Sequence, residues 1–144
     1  MTRALPLLLL LLVVSAAAAL AQSPSRPKAP DEEWPLGVWE GAHRDIAIDS
    51  DATRCEFFRE DGRMRWRMTR KTTMLREGPV TLSAAGFVTQ ISASSIEMDG
   101  RYSTESGRDL GGLSVRYVLT RTDNTLAGSA TTSRSQGSVS LTKR

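Results

Sequence analysis

The hydrophobic pattern along most of this chain repeats every second residue. Met64, Trp66 and Met68 alternate with Arg65, Arg67 and Thr69, and Val80 and Leu82 alternate with Thr81 and Ser83. Leu113, Val115, Tyr117 and Leu119 alternate with Ser114, Arg116, Val118 and Thr120; Val139 and Leu141 alternate with Ser138, Ser140 and Thr142. Successive side chains of a strand point to opposite faces, so this period predicts strands with one buried and one wet face. From residue 36 onward no run of ten residues carries a helical stripe. Turn-forming groups separate the runs: Asp61-Gly62, Glu77-Gly78-Pro79, Ala85-Gly86, Asp99-Gly100, Gly111-Gly112, Asp123-Asn124 and Gln136-Gly137. The predicted strands cover 37–48, 53–59, 63–71, 79–85, 87–93, 95–103, 112–121, 125–133 and 137–143. Eight or nine strands on short connections predict an all-β fold. The expected architecture is an antiparallel up-and-down meander closed into a small barrel, with a β-sandwich as the alternative. Closure removes exposed strand edges and is therefore favoured.

Residues 1–21 break the pattern. They hold 17 apolar residues, with Arg3 near the start and an apolar run from Leu5 to Val14 interrupted only by Pro6. Ala19 and Ala21 supply small residues at the two positions that a signal peptidase reads. The run is short for a membrane span, which needs about 20 apolar residues. The expectation is a cleaved signal peptide over 1–21 and export to the periplasm or the extracellular space. Residues 22–35 are polar and contain Pro24, Pro27 and Pro30, which predicts a flexible spacer. A single barrel domain is then expected over 36–144.

Composition narrows the function classes. The chain has 144 residues, enough for one domain. A single cysteine excludes a disulfide-built scaffold. A net charge of +3 argues against a nucleic-acid binder. Charge is nevertheless unevenly placed. Asp31 to Asp51 carries seven acidic residues and one basic, whereas Arg54 to Arg76 carries eight basic and three acidic. Arg63, Arg65, Arg67 and Arg70 are read as a basic outer stripe for an anionic envelope component or an acidic protein. The competing reading is cross-strand pairing with Glu40, Asp45 and Asp49 on the first strand.

The chemistry-bearing residues are few. His43 is the only histidine, and a zinc site needs three or four ligands. No G-x-S-x-G nucleophile motif occurs. Asp49, Asp51, Thr53 and Glu60 match positions 1, 3, 5 and 12 of a calcium loop, but Arg54 replaces the required glycine. An acidic turn is the simpler reading. No metal, cofactor or catalytic residue is therefore expected. Cys55 reads as a buried small hydrophobe. A monomer is expected, with a Cys55-linked dimer as the alternative.

Leu36-Gly37-Val38-Trp39-Glu40-Gly41 opens the first strand with a G-x-W-x-G pattern. The last hairpin runs from Tyr117 through Asp123-Asn124 and Gly128 to Leu141. Together these segments resemble lipocalin-like, calycin-type small exported barrels, about a dozen positions at the two ends of the domain. The resemblance implies a barrel whose mouth holds a small apolar ligand, with the tryptophan packed across one end. It carries over no functional residue.

Two functions compete. One is a carrier of a small apolar or amphipathic ligand, bound by Trp39, Phe57, Met64, Trp66 and Tyr117. The same residues are also what any small barrel needs to fill its interior. The other is an envelope interaction module or inhibitor that acts through the basic stripe and the N-terminal spacer. Small exported barrels include inhibitors of secreted metalloproteases whose flexible N-terminal segment enters the target. Those usually carry an internal disulfide, which this chain cannot form. Catalysis is not expected under either reading.

Overall fold

The computed structural model describes residues 32–45, 49–74, 76–107 and 110–144. Eight antiparallel strands follow in chain order: β1 (Gly37–Asp45), β2 (Asp49–Glu60), β3 (Arg63–Met74), β4 (Gly78–Ile91), β5 (Ser95–Tyr102), β6 (Ser114–Thr122), β7 (Thr125–Thr132) and β8 (Gln136–Lys143). Each pairs with the next, and β8 pairs back onto β1, with Gly41 opposite Leu141. The fold is a closed up-and-down barrel, not a sandwich. No strand among the eight keeps an open edge.

The period-two pattern places the side chains. Trp66, Met68, Ile96, Met98, Tyr117, Leu119, Leu126 and Leu141 point inward and are at most 1 % exposed. Most outward positions carry arginine, glutamate, threonine or serine. This is the reverse of a membrane-spanning barrel, which turns an apolar band toward lipid. Among the described residues no helix is long and apolar enough to cross a membrane.

Two expected turns fall inside strands. Ala85-Gly86 lies within β4, so the predicted strands 79–85 and 87–93 are one element and the barrel has eight strands, not nine. Asp99-Gly100 lies within β5. Gly86 and Gly100 are direct cross-strand partners that face the lumen. A Cβ on Gly86 would overlap the carbonyl oxygen of Asp99, and one on Gly100 would lie 2.5 Å from Trp66 Cζ2. Here glycine permits close approach of two strands beneath a large ring; it does not make a turn. By contrast Asp61 (φ 52°) and Gly62 (φ 75°) do form the tight β2–β3 turn, in left-handed conformations that suit hairpins. The β5–β6 connection is the longest and contains a short 3-10 turn, Thr104–Ser106.

The first expected strand, 37–48, ends at Asp45, and residues 46–48 lie outside the described residues. The predicted signal peptide and most of the spacer, residues 1–31, also lie outside them. Residues 32–35, the last of the expected spacer, pack against the barrel. Trp34 and Pro35 are buried, and Trp34 closes one end of the barrel. Its Nε1 donates to the Ser92 carbonyl at 2.8 Å, and its ring meets Trp39 edge to face at 6.1 Å. Apolar contact and a satisfied indole N–H outweigh the local preference of a proline-rich segment for extension.

Candidate functional site

Each strand contributes every second residue to the lumen, so the lumen can be followed from end to end. At the closed end Trp39 Nε1 donates to the Pro35 carbonyl at 2.8 Å. The Arg121 guanidinium lies 4.9 Å from the Trp34 ring centroid, and Lys143 Nζ donates to the Trp34 carbonyl at 2.7 Å. In the middle, Trp66 meets Tyr117 edge to face with centroids 5.3 Å apart. Tyr117 in turn meets His43 at 5.8 Å.

The opposite end is polar. Arg70 Nη1 donates to Tyr102 Oη at 3.1 Å, and Tyr117 Oη lies 3.4 Å from His43 Nε2. Thr53 and Ser50 are buried beside them, with Ser50 Oγ donating to the Lys71 carbonyl at 2.6 Å. His43 Nδ1 has no hydrogen-bond partner among the described residues.

The electrostatics of this cluster follow from burial. His43 is held down to a pKa of about 3, first by loss of solvent and then by the Arg70 charge, against an opposing pull from Asp45. The imidazole is therefore neutral at pH 7 and a weak base. Burial, helped by Glu56, raises the Cys55 thiol well above its usual range. Burial, with Tyr102 next, likewise raises the Tyr117 phenol. None of the three is an activated nucleophile near neutrality. Cys55 is 0 % exposed, so a disulfide between two copies would require the barrel to open. Among the described residues no group of three or more His, Cys, Asp or Glu is gathered as a metal ion would need. The four calcium-template positions separate: Asp49 and Asp51 flank Arg44, Thr53 faces the lumen, and Glu60 holds Arg65.

All five residues proposed to bind an apolar ligand are buried on the inward face. They pack together in the core of the barrel. Met64 borders a small recess of about 180 Å³ with Arg59, Val88 and Ile91.

The basic stripe divides. Arg63, Arg65 and Arg67 face outward. Arg70 does not, because it shares parity with Trp66 and Met68 and is 2 % exposed within the lumen. The acidic partners also differ from those expected. Arg67 pairs with Glu56 at 2.7 Å and Arg65 with Glu60. Strand β2 lies between β1 and β3, so its own carboxylates reach these arginines first. Glu40 pairs instead with Arg144, Asp49 with Arg44, and Asp45 accepts a hydrogen bond from Ser135.

A groove of about 710 Å³ lies outside, on the wall formed by β3 to β7. Cross-strand register builds it. Arg65, Phe87, Asp99, Arg116 and Thr131 are successive partners across five strands. Arg67, Ala85, Arg101 and Ser114 form the next row. The Arg63 guanidinium covers Phe87 at 3.8 Å, with that of Arg65 at 4.9 Å. Arg116 pairs with Glu97 at 2.5 Å and with Asp99 at 3.9 Å. Arg101 donates to the Gly112 carbonyl at 3.3 Å. Sequence reading missed Phe87, Arg101, Arg116 and Tyr102. Parity along β5 and β6 marks the two arginines as outward-facing, but only the sheet register brings them beside Arg65.

Neither a protein-family profile nor a curated relative matches the chain. Among solved structures, it is similar to a redesigned beta barrel, mFAP1, bound to DFHBI. The two share 13% sequence identity at a TM-score of 0.54, over 81% of this chain and 100% of that one. This likeness concerns the eight-stranded barrel fold.

Proposed function

We propose that the protein is an exported, non-catalytic binding protein whose working surface is the outer wall of the barrel. One observation carries this reading. The lumen is crossed by the Trp66, Tyr117 and His43 rings in edge-to-face contact, whereas a groove of ligand size opens on the β3–β7 wall. The leader-like residues 1–21 support export. The neutral His43, the protonated Cys55 thiol and the protonated Tyr117 phenol support a role without catalysis.

A lumenal carrier of the lipocalin-like kind is the second reading. It draws support from the neighbouring redesigned barrel, which is bound to DFHBI, and from the polar end, where buried Arg70, Tyr102 and His43 would meet the head of an amphipathic molecule. Native mass spectrometry of protein taken from its own compartment separates the two. The outer-wall reading expects bound mass to disappear in an Arg101→Glu/Arg116→Glu variant. An apolar mass of a few hundred daltons that survives this variant and is lost only on unfolding would establish the carrier instead.

A further inference from the structure

We infer that the groove on the β3–β7 wall takes an acidic oligosaccharide, a chain that carries both carboxylates and hydroxyls; this rests on the outer-wall reading above. The groove runs across the strands. Arg65 and Arg116 stand three strand steps apart, roughly 14 Å at the usual strand spacing. Arg101 lies between them in the adjacent row. Three guanidinium forks therefore face one trough, each suited to a carboxylate.

Two of these arginines already hold acidic neighbours, but those pairs are partly solvent-exposed and individually weak, so an incoming carboxylate can displace them. Arg65 Nε is buried without a hydrogen-bond partner among the described residues. Among the described residues Arg101 donates to one carbonyl, that of Gly112, and its side chain is exposed.

The other lining groups select among anions. Asp99 sits in the trough, where a purely anionic surface such as a phospholipid headgroup layer would be repelled. Hydroxyls can donate to the same Asp99 carboxylate. Ser114 and Thr131 add further hydroxyl partners on the β6–β7 side. A peptide fits less well, because every strand is paired on both sides and offers no edge for strand addition. The trough is also lined by Ala85 and by Gly86 and Gly100, which place no large side chain against a sugar ring.

The test is titration of the purified protein, by calorimetry and amide NMR, with a hexameric oligouronate, a neutral hexaglucan and anionic phospholipid vesicles. The expected result is oligouronate binding that shifts the Ala85, Gly86 and Gly100 amides. Arg101→Ala should weaken it at least tenfold and Arg54→Ala, on another wall, by no more than twofold. Equal binding of the neutral glycan, binding of vesicles alone, or no saccharide binding up to 10 mM (roughly 2.7 kcal/mol of affinity at best) would overturn the acidic-saccharide assignment and leave the outer-wall reading standing. Shifts confined to Trp66, Tyr117 and His43 would overturn both.

Discussion

The two ends of the lumen are built by the same eight strands and differ in chemistry. At the closed end, Trp34 and Trp39 pack edge to face and both indole N–H groups donate to carbonyls. At the other end His43, Arg70, Tyr102 and Thr53 occupy equivalent inward positions. Nothing in strand geometry requires this contrast. The closed end excludes water with apolar area, whose contribution scales with the surface removed from water. The polar end relies on hydrogen bonds among its buried groups, and an unsatisfied one such as His43 Nδ1 is costly. Stability should therefore come from one end and sensitivity to solution conditions from the other.

That contrast is tested most strongly at Trp39. Trp39→Ala should cost about 3–5 kcal/mol in urea unfolding, since a fully buried indole is lost and its cavity remains. A cost below about 1 kcal/mol would mean the tryptophan pair is not what closes this end.

His43 tests the polar end by pH. Its folded pKa lies near 3, below the unfolded value of 6.5. Between these values the unfolded state binds the extra proton, so folding stability falls as pH drops from about 6.5 toward about 3. The slope should reach at most about 1.4 kcal/mol per pH unit. Carboxylates titrate in the same range, so the measured quantity is the difference between wild type and His43→Asn. That difference should change with pH below about 6.5 and become constant above pH 7, and a pH-independent difference throughout would rule out a buried neutral imidazole.

Arg70 sharpens the contrast further. Arg70→Ala should cost about 2–3 kcal/mol, because Tyr102 Oη loses the Arg70 donor and space opens. Arg70→Met, which keeps the bulk and removes the buried charge, should cost about 1 kcal/mol or less. Equal losses in both would show that the guanidinium, and not its volume, holds the polar end together.

The smallest effect is expected outside the lumen. Arg67→Ala removes an exposed pair with Glu56 and should change stability by less than about 1 kcal/mol, and less still in high salt.

Much of the barrel was legible in the chain. Alternation placed Trp66, Met68, Tyr117, Leu119 and Leu141 inside, and the Asp61-Gly62 turn was marked by its residues. Arg70 was equally legible, since it continues the parity of Trp66 and Met68; its charge suggested a surface position that its place in the strand contradicts. Glycine was the more ambiguous signal. Asp61-Gly62 and Asp99-Gly100 look alike as dipeptides, yet one forms a turn and the other a close approach inside a strand.

The sequence by itself determined which residues face inward, because side-chain direction in a strand depends only on position along it. It also determined that the described domain would be all-β and antiparallel, since the apolar runs are short and the connections between them shorter. Closure of β8 onto β1, the packing of Trp34 against Trp39, and the groove between Arg65 and Arg116 were decided only by the tertiary structure. Each depends on residues far apart in the chain meeting through sheet register, and register is set by the whole barrel closing at once.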